Sequence, residues 1–481
     1  MEQKIEKGSR APLKLNYKRT MIIGFAFFGI LLLWQVYDSW CPVFLEELFK
    51  SMLHKEDSTE VQYLVGMMMA MDNLAALILM PIFGRLSDKT HTKIGKRMPY
   101  ILIGTFVCAV VFPFVPVFYH LNNMAGVISM MAITVCFAMM YRNPAVALMP
   151  DLTPKPLRSK ANGIINIMGY IGGAFATVLG IVFVLTDYLG DGNVNSWANG
   201  NIWAIELPFL IASVLMVISA VILFFNIKEN ELEVDLADEL AEGEKEAAVV
   251  DSVEDDDEKK MSKANKIMLF LILGAEFFWF MADNGIGTFM LNYSRNFLGT
   301  SSASNSIMTI IGGVGSVVGF AIGGIIASKI GRKWTIVSGL ALTLVGLIAW
   351  LCLQNFVGKG AFNPNTGYYA FPWYLYVVWG LKGFGMSLVH LNSFPMVVEL
   401  CSKKKVGQFT GYYYMASMGA QTITPTLLGL LLLNDNLDWG FLPVYAIIAL
   451  SISFVIFIFV KNVKTTKTTF KKGLEAIGDD D

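Results

Sequence analysis

Long apolar stretches separated by short polar ones recur along almost the whole chain. Twelve of them lie at roughly 20–45, 62–83, 98–118, 125–149, 163–185, 205–226, 266–292, 305–327, 333–353, 371–397, 407–433 and 440–460. A helix needs about 20 mostly apolar residues to cross the hydrocarbon core of a bilayer. The pattern therefore predicts an all-α membrane protein with twelve transmembrane helices.

One long polar segment interrupts this pattern near the middle of the chain. We predict a six-helix bundle over 1–226, an acidic linker over 227–264, a second six-helix bundle over 265–462 and a cytoplasmic tail over 463–481. The linker is rich in Glu, Asp, Lys and Ala and cannot bury a core of its own. We expect a solvated, part-helical tether between the halves, with a regulatory role as the alternative.

The two halves share a spacing that indicates internal duplication. Arg142 precedes Asp151 by nine residues in the first half, and His390 precedes Glu399 by nine residues in the second. Carriers are often built from repeated halves. We therefore predict two pseudo-symmetric bundles.

The composition agrees with lipid as the solvent of this chain. Hydrophobic residues make up 55% and charged residues 16%, with a mean hydropathy of +0.55, whereas a soluble chain has about 45–50% and about 25%. The sequence contains no P-loop, HExxH or CxxC pattern, and its five cysteines show no disulfide or metal-ligand spacing. We expect no enzyme, no cofactor, no metal site and no nucleic-acid partner.

Positive charge is concentrated in alternate loops and in both tails. The basic loops contain Arg85, Lys89, Lys93, Lys96 and Arg97, then Lys155, Arg158 and Lys160, then Lys329, Arg332 and Lys333, and finally Lys403, Lys404 and Lys405. Loops rich in Lys and Arg face the cytoplasm. Both termini are therefore predicted to be cytoplasmic, in a multi-pass protein of the plasma or inner membrane.

Seven ionisable residues fall inside apolar stretches, where charge is costly and marks either function or pairing within the bundle. They are Asp38, Asp72, Arg142, Glu276, Asp283, Lys382 and His390. Helical spacing places aromatic and amide side chains on the same faces, a combination that suits sugar hydroxyls and the apolar face of a sugar ring. The predicted solute cavity comprises Trp34, Gln35, Asp38, Arg142, Asn143, Glu276, Trp279, Phe280, Asp283, Asn284, Lys382 and His390. Ordinary helix packing is the alternative for the aromatic members.

Asp38, Asp72 and Asp283 are the candidates for cation coupling. A carboxyl group in a low dielectric suits a proton carrier, whereas Na⁺ requires several converging oxygens, two of which Asp72 and Asn73 can supply. Static ion pairs of Asp38 with Arg142, or of Asp283 with Lys382, are the alternative.

Two loop motifs carry a resemblance to a known family. The first is Gly84-Arg85-Leu86-Ser87-Asp88, closing with Gly95-Lys96-Arg97-Met98-Pro99-Tyr100, and the second is Pro144-Ala145-Val146-Ala147-Leu148-Met149-Pro150-Asp151-Leu152-Thr153, followed by Ala161-Asn162. Together with the twelve-span layout they resemble the major facilitator superfamily, and more narrowly its sucrose and glycoside cation symporter branch, over nearly the whole chain. The resemblance implies that the first, fourth, seventh and tenth helices line a central cavity. Six of the seven intramembrane ionisable residues lie on those helices.

The first motif also predicts a gate on the cytoplasmic side. We expect Asp88 to pair with Arg or Lys from its own loop or from the other half, and so to hold this gate closed. The predicted gate comprises Gly84, Arg85, Asp88, Gly95, Lys96, Arg97, Asp151, Arg332 and Glu399.

One departure from the family pattern limits the choice of solute. Plant sucrose carriers of this type have Arg at the position of Val146, and Arg142 lies one turn earlier, so sucrose itself is not implied. The sequence predicts a secondary carrier that imports a glycoside or oligosaccharide with H⁺. Na⁺ coupling and multidrug efflux are the alternatives. We expect a monomer whose partners are a small solute and the bilayer.

Overall fold

The computed structural model describes residues 13–185, 205–244, 263–398, 400 and 406–461. Lipid offers the backbone no hydrogen-bond partner, so apolar stretches satisfy their N–H and C=O groups within helices. The first half contains α1 Tyr17–Leu53, α2 Gln62–Lys89, α3 Met98–Val111, α4 Phe114–His120, α5 Met124–Asp151, α6 Arg158–Val182 and α7 Glu206–Asn226. The short helix α8 Glu229–Asp235 follows. The second half contains α9 Lys263–Asn292, α10 Ser302–Ile330, α11 Arg332–Phe356, α12 Trp373–Val398, α13 Val406–Leu431 and α14 Leu442–Phe459.

The helices account for all twelve predicted spans. Helices α3 and α4 form one span, interrupted at Pro113, whose ring removes a backbone donor and disfavours a continuous helix. Ten segments of the described chain are both long and apolar enough to cross a membrane. Helices α12 and α13, with 26 residues each, complete the set.

Short elements occupy some of the connections between spans. They are 3₁₀ turns at Ser58–Val61, Lys155–Leu157 and Trp439–Phe441, a π turn at Tyr293–Phe297, and two strands, β1 Phe362–Asn363 and β2 Tyr368–Tyr369. The strands pair antiparallel, with Phe362 opposite Tyr369. This small hairpin is an addition to the predicted all-α fold and lies between α11 and α12.

The two ends of the bundle differ in charge, and we name them accordingly. The basic side carries the α2–α3, α5–α6 and α10–α11 loops, and the opposite side carries the α1–α2, α9–α10 and α13–α14 loops. Within the first half α1 packs against α6 and α7, and within the second half α12 packs against α10 and α11. The halves meet through α2 with α13, α6 with α10, and α1 with α9.

The beginning of the predicted linker is not the solvated tether that we expected. Residues 227–244 lie against the first half: Ile227 and Leu236 are buried, and Leu232 and Leu240 pack against the core. The last three of these are four residues apart, so they form one apolar face of a helical segment. Residues 245–262 and the predicted tail 463–481 lie outside the described residues.

Close packing of α6 on α1 gives a test of the fold. A methyl group on Gly172 would overlap the backbone carbonyl oxygen of Phe28, whereas a methyl group on the neighbouring Gly173 meets open space. Both substitutions raise the helix propensity equally. The difference in stability between the two variants therefore measures the cost of overpacking at Gly172, about 1–3 kcal/mol. We expect Gly172→Ala to have a lower thermal midpoint than Gly173→Ala, as measured by fluorescence-detected size-exclusion chromatography. Equal midpoints would contradict this packing.

Candidate functional site

The middle of α1 brings two carboxyl groups and a tyrosine together. The hydroxyl of Tyr37 donates a 2.6 Å hydrogen bond to Asp72 Oδ2 on α2. Asp38 is the next residue on α1, and both Asp72 and Arg142 of α5 are close enough to interact with it electrostatically. Asp38 is exposed to solvent although it lies at the centre of a long span. Asp38 is therefore the member of this group that is open to solvent, whereas Tyr37 is fully buried.

The neighbouring face of α1 carries the predicted aromatic and amide groups. Trp34 is half-buried and meets the ring of Tyr37 edge to face, with centroids 5.6 Å apart. Gln35 Nε2 donates to Ser39 Oγ at 3.3 Å. Because Trp34, Gln35 and Asp38 lie within one helical turn, α1 presents a ring, an amide and a carboxylate on adjoining positions.

The second half contributes a charged cluster of its own. Lys382 of α12 forms a direct ion pair with Asp283 of α9, and its ammonium group lies 5.8 Å from the Trp379 ring centroid. His390 lies near both charges and faces the ring of Phe280 with centroids 5.4 Å apart. The structure thus contains the Asp283–Lys382 pair that the sequence left as an alternative to a coupling role.

Four of the predicted cavity residues differ from the rest in being buried or in bonding to a neighbouring helix. Trp279 is fully buried and packs against Phe457 of α14. Glu276 is also fully buried, and neither of its carboxylate oxygens has a partner among the described residues. Asn143 Nδ2 donates to the Met80 carbonyl oxygen at 2.6 Å, which ties α5 to α2. Asn284 Oδ1 is buried without a partner in the described part of the chain.

The predicted gate residues on the basic side converge on Arg97. Its guanidinium group contacts Asp88 Oδ1 at 2.5 Å, Asp151 Oδ2 at 2.9 Å and Ser87 Oγ at 2.5 Å. Lys96 adds a contact of 3.3 Å to Asp151. Asp88 was predicted to pair with a basic residue of its own loop or of the other half, and in the structure its partner is Arg97 of its own loop. The cluster joins the ends of α2, α3 and α5 within the first half.

The remaining gate residues are arranged around this cluster or apart from it. Gly84 lies directly against the Asn143 amide, and Arg85 is exposed. Gly95 adopts a positive φ of 113° in the α2–α3 loop. Arg332 begins α11 in the second half. Glu399 lies outside the described residues.

Sequence reasoning missed a second charged cluster, on the opposite side. Glu46 of α1 is fully buried and accepts hydrogen bonds from Gln62 at 2.8 Å, from Asn296 at 3.0 Å and from Asn292. Its neighbour Glu47 forms a 2.5 Å salt bridge with Arg295. Glu46 and Glu47 follow the first predicted apolar stretch, which ends near residue 45, so the hydrophobic pattern leaves them outside the spans. Their signal was the spacing of eight residues from Asp38 to Glu46, which places both on one helix face.

This second cluster joins the two halves of the protein. Glu46 and Glu47 belong to the first half, whereas Asn292, Arg295 and Asn296 belong to the second. Further along the same side, Trp439 Nε1 donates to Ser58 Oγ at 2.7 Å. The opposite side is therefore closed across the halves. Asp38, in the middle of α1, is nevertheless exposed to solvent.

The fold and the enclosed charges define a membrane transporter with one side closed. A family model described as "MFS/sugar transport protein" matches residues 23–438 of the chain. The protein therefore belongs to this family of the major facilitator superfamily, and the predicted superfamily and all-α membrane fold are confirmed.

Solved structures agree on the fold. The inward-open xylose transporter XylE from E. coli is 16% identical with a TM-score of 0.62, over 95% of this chain and 98% of that chain. The POT family transporter PepTSo is 11% identical with a TM-score of 0.63, over 92% and 98%. A bacterial homologue of the iron transporter ferroportin, in an inward-facing state, is 12% identical with a TM-score of 0.62, over 92% and 99%. At such identities the likeness concerns the fold alone. No curated protein sequence matches the chain.

The closed side generates a prediction about Arg295. Replacing Arg295 with Gln removes a cation that crosses between the halves and leaves Glu47 without it. Both partners are partly exposed, so the loss is smaller than the about 3–5 kcal/mol of a fully buried pair. We expect the closed population to fall roughly tenfold, which corresponds to about 1.4 kcal/mol. Nitroxide labels at positions 54 and 435, on exposed residues of the two halves, will report longer distances by pulsed electron paramagnetic resonance.

The matched control for this change is Lys50→Gln. Lys50 also contacts Glu47, at 3.8 Å, but within α1 and therefore within one half. We expect its label distances to match those of the unsubstituted protein. If both variants, or neither, lengthen the distances, the bridge from Arg295 does not hold this side closed.

The isolated carboxyl group of Glu276 generates a second prediction. An unpaired charge at a fully buried site costs several kcal/mol, so the uncharged acid is the favourable form there. Glu276→Gln copies the shape of the uncharged acid and should change the unfolding free energy by less than about 1.5 kcal/mol. Glu276→Lys should lower folded yield and thermal midpoint strongly. A Gln variant as damaged as the Lys variant would contradict this account.

Proposed function

We propose that the protein is a secondary carrier that imports a glycoside or oligosaccharide together with H⁺ by alternating access. The observation that carries the proposal is the group of Tyr37, Asp38, Asp72 and Arg142 in the middle of the spans, with Asp38 exposed to solvent. It places two acids near each other, and a cation near one of them, at the centre of the spans. Such a group can change charge and can contact a polar solute.

Proton coupling follows from the repulsion between Asp38 and Asp72. Two carboxylates at close quarters repel each other, and one proton between them removes the repulsion. The hydroxyl of Tyr37 bonds to Asp72 and leaves Asp38 as the exposed member. In our proposal Asp72 carries the proton and Asp38 contacts the solute. Arg142 competes with the proton for Asp38 and so links solute binding to proton binding.

The sugar assignment rests on the chemistry of the facing side chains and on the family description. Carboxylates and amides accept and donate hydrogen bonds to paired hydroxyls, and aromatic rings pack against C–H faces. Trp34 and Gln35 provide these groups in the first half, and Phe280 and His390 lie beside a charged pair in the second. The family model names sugar transport, and XylE carries xylose.

Alternating access is supported by a difference between the two sides in the part of the chain that the structure describes. The Glu46–Glu47 cluster closes the opposite side across the halves, while the Arg97 cluster bonds within the first half. With the basic side in the cytoplasm, as the distribution of Lys and Arg predicts, this is an inward-facing conformation. Breaking the bonds of Arg295 and closing the basic side would expose the interior to the outside.

Na⁺ is the alternative coupling ion. It prefers several oxygens converging on one point, and the carboxylates of Asp38 and Asp72, which interact electrostatically, are the first candidates for such a set. Asn73 Nδ2 donates to the Gln421 carbonyl oxygen at 3.4 Å, so its own side-chain oxygen remains an additional candidate ligand. The same transport assay distinguishes the two ions.

The test is uptake into proteoliposomes against a panel of labelled glycosides under imposed H⁺ or Na⁺ gradients. We expect one glycoside to accumulate under an inward H⁺ gradient. Asp72→Asn should reduce gradient-driven accumulation at least tenfold, to the level without a gradient. The reason is that an amide, unlike a carboxyl group, cannot bind and release a proton during the transport cycle. Exchange of labelled for unlabelled solute should persist, because exchange needs no net proton movement.

Glu60→Gln is the control for this test. Glu60 pairs with Lys55 at the surface of the opposite side, so its change should leave both assays unaltered. Accumulation under Na⁺ alone would replace the proton with sodium. Expulsion of lipophilic cations without sugar accumulation would overturn the proposal in favour of efflux.

A further inference from the structure

Helix α3 receives its N-terminal cap from a distant part of the chain. The first N–H groups of a helix lack partners within the helix, and the capping position of α3 is occupied by Arg97, whose side chain does not cap. The carboxylate of Glu229 accepts instead from the backbone N–H of Arg97 at 3.0 Å and from that of Met98 at 3.1 Å. A carboxylate is also the favourable charge at a helix N-terminus.

The α2–α3 loop is shaped to receive this carboxylate. Gly95 lies directly against Glu229 with a positive φ of 113°, so a side chain there would be strained and would overlap the carboxylate. Asn230 Nδ2 donates to the carbonyl oxygens of Thr92 at 2.9 Å and Lys93 at 3.1 Å. Both consecutive residues of α8 therefore bond to the backbone of the same loop.

Residues 227–244 also contact the end of α5. Lys155 forms a 3.8 Å ion pair with Glu244, and Gly243 packs against Pro154. On the other loop, Lys96 contacts both Glu233 at 3.6 Å and Asp151 at 3.3 Å. The segment thus bridges the two loops whose side chains surround Arg97.

Burial of Glu229 has a cost that its bonds oppose. Burial raises the pKa of its carboxyl group, while the backbone N–H groups of Met98 and Arg97 act to lower it. The hydrogen bonds that the carboxyl group accepts from these N–H groups therefore compensate for the cost of its burial. A neutral side chain with an oxygen at the same place should serve nearly as well.

We propose that residues 227–244 form a clasp that positions Arg97, with Glu229 as the positioning residue. The clasp accepts a hydrogen bond from the backbone N–H of Arg97. The side chain of the same residue joins the ends of α2, α3 and α5. It makes the basic-side loops of the first half move as one body during alternating access. This consequence for transport rests on the proposed function, whereas the docking of the clasp does not.

The first experiment measures docking in the full-length protein without any solute. Hydrogen exchange of the backbone amides at 232–240 should be slow in the unsubstituted protein. Glu229→Ala should accelerate it roughly fivefold or more, the factor expected for the loss of a helix cap. Glu229→Gln should restore slow exchange. Glu231→Ala is the matched control, since Glu231 is an exposed residue of the same helix that contacts only Lys228 among the described residues.

The second experiment measures the positioning. Nitroxide labels at the exposed positions 91 and 156 report the distance between the α2–α3 and α5–α6 loops without removing a clasp contact. Its distribution should broaden in Glu229→Ala and stay narrow in the Gln and Glu231→Ala variants. Glycoside exchange in proteoliposomes should fall roughly fivefold in Glu229→Ala alone and recover to within about twofold in Glu229→Gln.

The outcomes separate the clasp from the transported solute. Unchanged hydrogen exchange in Glu229→Ala would overturn the docking role of Glu229. Faster hydrogen exchange with a narrow label distance and normal solute exchange would overturn the positioning of Arg97 and leave a tether only. Absence of any glycoside exchange in the unsubstituted protein would overturn the proposed function, while the two solute-free measurements would still decide the clasp.

Discussion

Charge within lipid is the constraint on which this structure depends. Hydrocarbon supplies neither water nor counter-ions, so a buried charge is stabilised when it finds its partner inside the protein. Asp283 has Lys382, Glu46 has the amides of α2 and α9, and Asp72 has the hydroxyl of Tyr37. These bonds connect helices that the apolar surfaces alone would leave free to slide. The polar interior therefore determines how the helices are held, and in our proposal it also binds the solute.

The two charged clusters outside the cavity have different connectivity, and this difference gives the molecule its direction. The Glu46–Glu47 cluster crosses between the halves and must break when that side opens. The Arg97 cluster lies within the first half and can remain intact while the halves move. A conformational change between packed halves therefore breaks one set of bonds and carries the other along as part of a rigid unit. Such an arrangement suits a protein that opens at one side at a time.

Sequence alone predicted the features that stand out against an apolar background. A charge within a long apolar stretch is conspicuous, so Asp38, Asp72, Asp283 and Lys382 were found before their neighbours were known. Periodicity identified the face of α9 but not the helix that covers it, and Trp279 lies against α14. Glu46 was missed because the apolar stretch ends near residue 45, whereas α1 continues to Leu53. The docked linker was missed because its composition, averaged over the whole segment, hides an apolar residue at every fourth position.

The cap on α3 also has a consequence for biosynthesis. Arg97 and Glu229 are 132 residues apart in the chain. At a translation rate of about 5–20 residues per second, the α2–α3 loop waits roughly 7–26 s for the carboxylate that completes it. By then α4 to α7 have already been made. The loop can form all its hydrogen bonds only when the whole first half has been synthesised. The cap on α3 is therefore one of the last contacts of the first half to form, before the second half emerges from the ribosome.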